Sequence, residues 1–242
     1  MEAWLSRSEL LLGGDNLKKL QSAKVLVVGL GGVGAYTAEM LCRAGIGNMT
    51  IVDGDKIHPS NRNRQLPALK STEGSFKADV MHDRLRDINP DLRLKVINEY
   101  LKDQRIIEIL DEGFDYVVDA IDTLSPKIFL IYHSLQKKFP LVSSMGAGGK
   151  FDPLKISISD ISETTDCNLA RILRKKLHRL DVREGFTAVW SPETIDKTKV
   201  VPTPGEQNKA SIIGTISYMP AAFGIACASV VIRDIAEIPR CN

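Results

Sequence analysis

The chain has 242 residues, 43% of them hydrophobic, and a formal net charge of +2, which fits one globular core with an appended lobe and excludes a disordered or collagen-like chain. So small a net charge does not announce nucleic-acid binding, and does not forbid it either. Cys42, Cys167, Cys227 and Cys241 show no CxxC and no metal-ligand spacing, so no zinc is expected and a reducing cytoplasm is the expected location, while Glu2, Arg7 and Glu9 interrupt any N-terminal signal core.

The first informative element is Val25-Leu26-Val27-Val28, four apolar residues that run into Gly29-Leu30-Gly31-Gly32-Val33-Gly34. An amphipathic helix is predicted over 35–44. Strand, glycine turn and helix in that order form a phosphate cradle. Gly29 allows the tight turn, Gly31 lets backbone approach a phosphate, and Gly34 lets the helix pack close to the sheet. The helix start offers unpaired N–H groups and a positive dipole end to an anion. A second apolar strand, 49–52, ends at Asp53, with Asp55 close behind. Asp53 lies about 20 residues past the loop, where a carboxylate accepts ribose hydroxyls.

The segment after Asp53 is unlike a nicotinamide site, which needs one acid and then a plain helix. It supplies an amide at Asn61 and guanidinium groups at Arg62 and Arg64, and Lys77 opens the next helix. Asp122 follows a strand over 114–118. Cations around a triphosphate, with one carboxylate left for Mg²⁺, suit adenylation better than hydride transfer. Taken singly, each arginine also reads as part of a solvated loop.

Further elements are predicted as helix 77–88, stopping at Asn89-Pro90, strand 92–98, helix 103–110, helix 126–137 and strand 141–144. This alternation predicts a doubly wound, Rossmann-like, mostly parallel sheet over 1–150, followed by a substrate and dimer lobe over 151–242 of the same domain. The glycines of Met145-Gly146-Ala147-Gly148-Gly149 lie beyond a strand's C-terminal end and either admit a substrate or turn the chain. Later elements are a half-wet strand over 155–160, a helix over 168–180 and a mobile loop over 200–208.

Three stretches carry two readings each. Residues 212–232 are long and apolar enough for a membrane anchor, yet Gly214, Thr215, Ser217, Pro220 and Gly224 point to a strand or loop followed by a helix from about Met219. The small residues Ala221, Ala222, Gly224, Ala226 and Ala228 suit a dimer core. Cys167 is a reactive thiol or an ordinary one, and its neighbour Asp166 puts negative charge beside the sulfur. Arg171, Arg174, Lys175, Lys176, His178, Arg179 and Arg183 form either a solvated face or a stripe for a phosphate backbone, with Arg171, Arg174, Lys175 and Arg179 as candidate nucleic-acid phosphate contacts.

GLGGVG, then Asp53-Gly54-Asp55, then Asn61-x-x-Arg64-Gln65, then Lys77, then Asp119-x-x-Asp122 resemble the ubiquitin-activating-enzyme-like adenylating family, which includes bacterial adenylyltransferases of sulfur-carrier proteins. The resemblance spans nearly the whole chain. It implies ATP and Mg²⁺ as cofactors, with Gly29, Gly31, Gly32, Gly34, Asp53, Asp55, Asn61, Arg64, Lys77 and Asp122 around the nucleotide. It implies catalytic roles for Arg64, Lys77 and Asp122, the last also as Mg²⁺ ligand. It further implies a homodimer in which Arg7 reaches the γ-phosphate of the neighbour's ATP. Trp4 to Glu9, Asp119 to Lys127 and Leu141 to Gly149 are most similar to the family's tRNA-modifying branch. That branch implies ATP-dependent cyclisation of the threonylcarbamoyl group on a tRNA adenosine through an adenylated carboxylate. The alternative is an adenylyltransferase acting on the C-terminus of a sulfur-carrier or ubiquitin-like protein. A cysteine-desulfurase or other sulfur-transfer system is a further partner that the resemblance raises. A nicotinamide oxidoreductase leaves Asn61, Arg64 and Lys77 without a task.

Overall fold

The computed structural model describes residues 3–202 and 211–239. Two short helices, α1 (Ser6–Leu12) and α2 (Gly14–Ser22), precede strand β1 (Lys24–Val28). Then come α3 (Gly34–Arg43), β2 (Asn48–Val52), α4 (Lys77–Ile88), β3 (Arg93–Ile97), α5 (Gln104–Leu110), β4 (Tyr116–Asp119), α6 (Leu124–Gln136) and β5 (Leu141–Ser144). The chain continues through β6 (Ser157–Asp160), α7 (Asn168–Leu177), β7 (Thr187–Trp190), β8 (Val200–Pro202), β9 (Ser211–Ile213) and α8 (Tyr218–Ile235).

Seven strands form one sheet in the order β3-β2-β1-β4-β5-β7-β6, parallel except for β6 at the edge. Successive strand residues point to opposite faces, so a strand buried on both sides is apolar throughout. In β1, Val25 and Val27 join Leu41, Met81, Leu85, Phe223 and Val231 in the core under α3, α4 and α8. Leu26 and Val28 join Ile106, Leu130, Ile131, Ala170 and Leu173 in the core under α5, α6 and α7. The result is a three-layer Rossmann-like fold. After β5 the chain adds β7 and β6 to this same sheet, a separate antiparallel β8–β9 pair, and α8, which packs into the core.

The apolar segment 212–232 resolves into part of β9 and most of α8. By length and composition α8 passes for a membrane span, yet 44% of it is buried inside the molecule, where it packs on α3. Thr37 Oγ1 donates to the Gly224 carbonyl at 3.0 Å, and a Cβ at Gly224 would stand 2.5 Å from the Val33 oxygen. Gly224 therefore serves close packing within the chain rather than the expected dimer core. The expected loop at 200–208 begins as strand β8, paired antiparallel with β9, and its part over 203–208 lies outside the described residues. The strand expected over 155–160 starts at Ser157, because Asp152 accepts the Leu154 N–H at 3.0 Å and sets a 3₁₀ turn over Pro153–Lys155. The helix expected over 168–180 is α-helical to Leu177 and ends as a 3₁₀ turn, His178–Leu180.

Candidate nucleotide site

The site lies where strand order reverses, beyond the C-terminal ends of β1, β2 and β4. The loop between β1 and α3 is tight because two glycines remove atoms that would collide. Gly29 has φ +91°, and a Cβ on Gly34 would stand 1.7 Å from the Gly29 oxygen. Above Gly31 the space is open apart from the Gln65 amide nitrogen, 3.7 Å from where a Cβ would be. The Arg64 carbonyl lies 3.4 Å from the equivalent point on Gly32. Segment 64–65 thus faces the glycine loop and leaves room for a phosphate.

Asp53 does two jobs. Its Oδ2 accepts the Leu30 N–H at 2.6 Å and its Oδ1 accepts the Asp55 N–H at 2.7 Å, which fixes the glycine loop and the turn after β2. Each oxygen retains a lone pair for a ribose hydroxyl. Burial pushes the Asp53 carboxyl above its usual range, against the opposing pull of Lys77 and of its two backbone bonds. Asp55 accepts from Lys77 Nζ at 2.7 Å and from the Tyr100 hydroxyl at 2.5 Å. The bond to Asp55, with burial, pushes the Tyr100 phenol up to about 12.

Asn61 shapes the loop. Its Oδ1 accepts the His58 N–H at 3.0 Å, and its carbonyl accepts the N–H groups of Arg64 and Gln65 at 3.1 and 2.9 Å. Arg64 is half-buried and donates to the Ser60 carbonyl at 2.9 Å and to Asn63 Oδ1 at 2.8 Å. Burial lowers its pKa from the ordinary value, and the nearby Asp122 carboxylate raises it. Asp122 is exposed at the rim. The Gln65 side-chain oxygen is buried without a hydrogen-bond partner among the described residues. An unsatisfied amide beside an open glycine loop is the mark of a ligand site.

Behind the rim is a dry network. Lys127 Nζ lies 2.7 Å from Asp119 Oδ2, with both side chains 0% exposed, and also donates to the carbonyls of Ile121 and Ser144 at 3.1 and 2.8 Å. Asp119 accepts further bonds from Ser143 Oγ at 2.6 Å and from the Ile121 N–H at 3.1 Å. Cys227 on α8 faces this pair, and burial pushes its thiol up to about 12. Sequence reasoning assigned no role to Lys127 or Tyr100. The signals were a lysine between Pro126 and Ile128 in the first turn of α6, and a tyrosine just past the C-terminal end of β3.

The other expected residues lie elsewhere. Arg7 is exposed on α1, a helix that buries none of its residues and exposes Leu10 and Leu11. The glycines after β5 mostly turn the chain: Gly149 has φ +74°, its N–H donates to the Gly214 carbonyl at 2.8 Å, and Gly148 packs on Ile213 and Thr215. Cys167 is buried before α7, near the buried Lys150, whose pKa burial lowers. Arg171 and Lys175 on α7 are exposed at i and i+4, and Arg179 in the 3₁₀ turn that follows is exposed as well. Arg174 turns inward: its guanidinium donates to the Thr164 hydroxyl and, at 2.7 Å, to the Thr164 carbonyl. Of the four expected phosphate contacts, Arg174 is the half-buried one that already spends hydrogen bonds inside the chain.

Among the described residues no group of three or more His, Cys, Asp or Glu side chains is placed to hold a metal by itself. A Mg²⁺ carried on a triphosphate needs one or two carboxylates, and Asp122 beside Arg64 fits that part.

Residues 5–241 match the model of the ThiF family. The chain is 40% identical over 189 residues to a tRNA threonylcarbamoyladenosine dehydratase of Bacillus subtilis strain 168, covering 78% of this chain and 74% of that protein. It is 35% identical over 233 residues to the protein of the same name in Haemophilus influenzae, covering 92% and 89%. Its structure matches Escherichia coli tRNA N6-threonylcarbamoyladenosine dehydratase, TcdA, solved in complex with ATP, at a TM-score of 0.88 and 34% identity, covering 98% and 96%.

Proposed function

The chain belongs to the ThiF family, and we propose that it is an AMP-forming enzyme that uses ATP to dehydrate the threonylcarbamoyl group of threonylcarbamoyladenosine in tRNA. The observation that carries this reading is the open glycine loop faced by the Arg64–Gln65 segment, with Asp122 across from the Arg64 guanidinium. A nicotinamide gives those groups no work. The similarity to dehydratases across most of the chain favours a tRNA substrate over a carrier-protein tail.

Asp53 accepts the ribose hydroxyls, and the start of α3 receives the phosphates. Arg64 and Lys77 neutralise charge that grows on the departing pyrophosphate. Mg²⁺, held by Asp122 and the phosphates, would add Lewis-acid polarisation of the phosphoryl oxygens. A carboxylate is a poor electrophile until one oxygen becomes part of a leaving group. The substrate carboxylate oxygen bonds to the α-phosphorus as the bond to the β-phosphate oxygen breaks, giving an acyl adenylate and pyrophosphate. The carbamoyl oxygen of the same side chain then attacks the acyl carbon. A carbamoyl N–H proton leaves to solvent, and AMP departs with the former carboxylate oxygen. The product is an oxazolone-type ring, one water poorer. Ring closure is intramolecular, so proximity supplies much of the acceleration and no covalent cysteine is required.

The tRNA backbone lies along the Arg171, Lys175 and Arg179 stripe, and the enzyme works in the cytoplasm as a homodimer with Arg7 reaching the partner's ATP. The exposed apolar face of α1 supports that last element. Incubation with ATP, Mg²⁺ and either modified tRNA or a carrier protein tests the whole reading. With tRNA, AMP and pyrophosphate are released and the modified nucleoside loses about 18 mass units, one water. An unaltered nucleoside beside an adenylated carrier-protein C-terminus overturns it. Mixing Arg7→Ala with Asp122→Ala protein should restore some activity through hybrid dimers. A fully active monomer at working concentration refutes the dimer.

A further inference from the structure

The Asp119–Lys127 pair has no exposure, and beside this 2.7 Å ion pair the ammonium donates to the Ile121 carbonyl and to the Ser144 carbonyl. Those two carbonyls belong to different loops. Ile121 precedes Asp122 in the β4–α6 connection. Ser144 ends β5 and opens the glycine segment 145–149. Asp119 closes the circuit by accepting the Ile121 N–H and the Ser143 hydroxyl.

A buried ion pair is weak evidence for stability, because well-packed apolar residues of similar volume often do as well. What apolar residues cannot do is bond two carbonyls and a backbone N–H at once. We propose that Lys127 is a positioning residue for the adenylation step: through Asp119 it holds the Asp122 loop and the loop after β5 in one fixed register. This rests on the adenylation reading above. Lys127 is dry, so it acts through Asp122 and not on the nucleotide. The loop after β5 packs on the β8–β9 hairpin through Gly148 and Gly149, so the same ammonium ties the hairpin to the nucleotide rim.

The test uses the full chain with ATP and modified tRNA. In the double variant Asp119→Leu/Lys127→Met the protein folds, KM for ATP stays within about threefold, and kcat for AMP release falls about 100-fold. Hydrogen exchange of the nucleotide-free double variant rises together over 120–123 and 144–149. Lys127→Arg, which keeps the donors, recovers part of kcat. A folded double variant with kcat within about threefold of the parent, or exchange that rises in one loop alone, overturns the proposal. If the double variant does not fold, Ser143→Ala decides, since it removes one bond to Asp119 and keeps the ion pair. Its kcat should fall about tenfold at unchanged KM, and an unchanged kcat overturns the proposal. If the parent releases no AMP with tRNA, the adenylation reading fails, and the exchange of the two loops still judges Lys127.

Discussion

At the ends of β1, β2 and β4 most charges are turned inward. Asp53 bonds backbone, Asp55 holds Lys77 and Tyr100, and Asp119 and Lys127 meet in a dry interior. On α7 and the 3₁₀ turn after it the charges turn outward: Arg171, Lys175 and Arg179 face solvent, and the inward-turned Arg174 bonds the Thr164 loop. Under the proposed function both regions meet an anion, but they suit different ones. A small triphosphate is held best by donors fixed before it arrives. A long polyanion is gathered by exposed cations whose attraction reaches over a Debye length and is weakened by salt. Sequence spacing alone does not separate these designs, because a cation in either looks the same until its partner is seen.

The sharpest way to break the comparison is at the inward end. Asp122→Ala should lower kcat for AMP release about 100- to 1000-fold and change ATP affinity by less than about threefold, because charge stabilisation at the reacting phosphate acts in the transition state. Calorimetric ATP binding beside single-turnover AMP release separates the two. Equal losses in affinity and rate would make Asp122 a binding residue only.

At the outward end, Arg171→Ala/Lys175→Ala/Arg179→Ala should weaken tRNA binding at least about tenfold at low salt and cut the slope of log affinity against log salt by about two to three. ATP affinity should not move. A salt slope equal to the parent's removes the stripe from the interface.

The outcome for α7 shows what was legible. The first half of the sheet could be read because its devices are local. Four apolar residues before Gly29, an acid after β2 and a proline after α4 each constrain backbone within a few residues. α4 was expected over 77–88 and is observed as Lys77–Ile88, and β5 was expected over 141–144 and is observed as Leu141–Ser144. What escaped depends on long-range packing. β7 is a four-residue strand, Thr187–Trp190, recruited between β5 and β6 by pairing alone. Lys127 looked like an ordinary polar residue because its partner, Asp119, lies eight positions back across a turn. Gly224 looked like a site for a second subunit, since the α3 backbone that needs its missing Cβ lies almost two hundred residues away. Arg174 looked like its neighbours, and the loop that turns it inward appears only in three dimensions.

Arg174→Ala is the smaller test of that distinction. It should cost about 1–2 kcal/mol of stability through lost charge-assisted bonds to Thr164, read as a lower urea midpoint at constant slope. The salt dependence of tRNA binding should stay that of the parent. A reduced salt slope with unchanged stability would return Arg174 to the outward set.

The smallest expected effect concerns Asp53, the inward group whose protonation opposes its role. Burial raises its pKa above the ordinary 3.8. A carboxyl raised in the folded state binds its proton more readily there than in the unfolded chain, so acidification through that pKa favours the fold at this position. The same protonation removes an acceptor that the ribose hydroxyls need. Acid should therefore weaken ATP binding through Asp53 while this group adds no acid instability. Glu39 behaves in the opposite way. Burial pushes it up, but hydrogen bonds and charge from Arg84 and Arg43 outweigh that and hold it below its ordinary value. Its contribution to stability is lost as pH falls through that lowered pKa. As pH falls through the raised Asp53 pKa, ATP affinity should fall further in the parent than in Asp53→Asn, which has no carboxyl to titrate. Titration of the nucleotide's own phosphates is common to both proteins and cancels in the ratio. Calorimetry across the acid range measures it, and parallel curves for the two proteins would show that the Asp53 carboxylate is a backbone anchor for Leu30 and Asp55 and takes no part in holding the ribose.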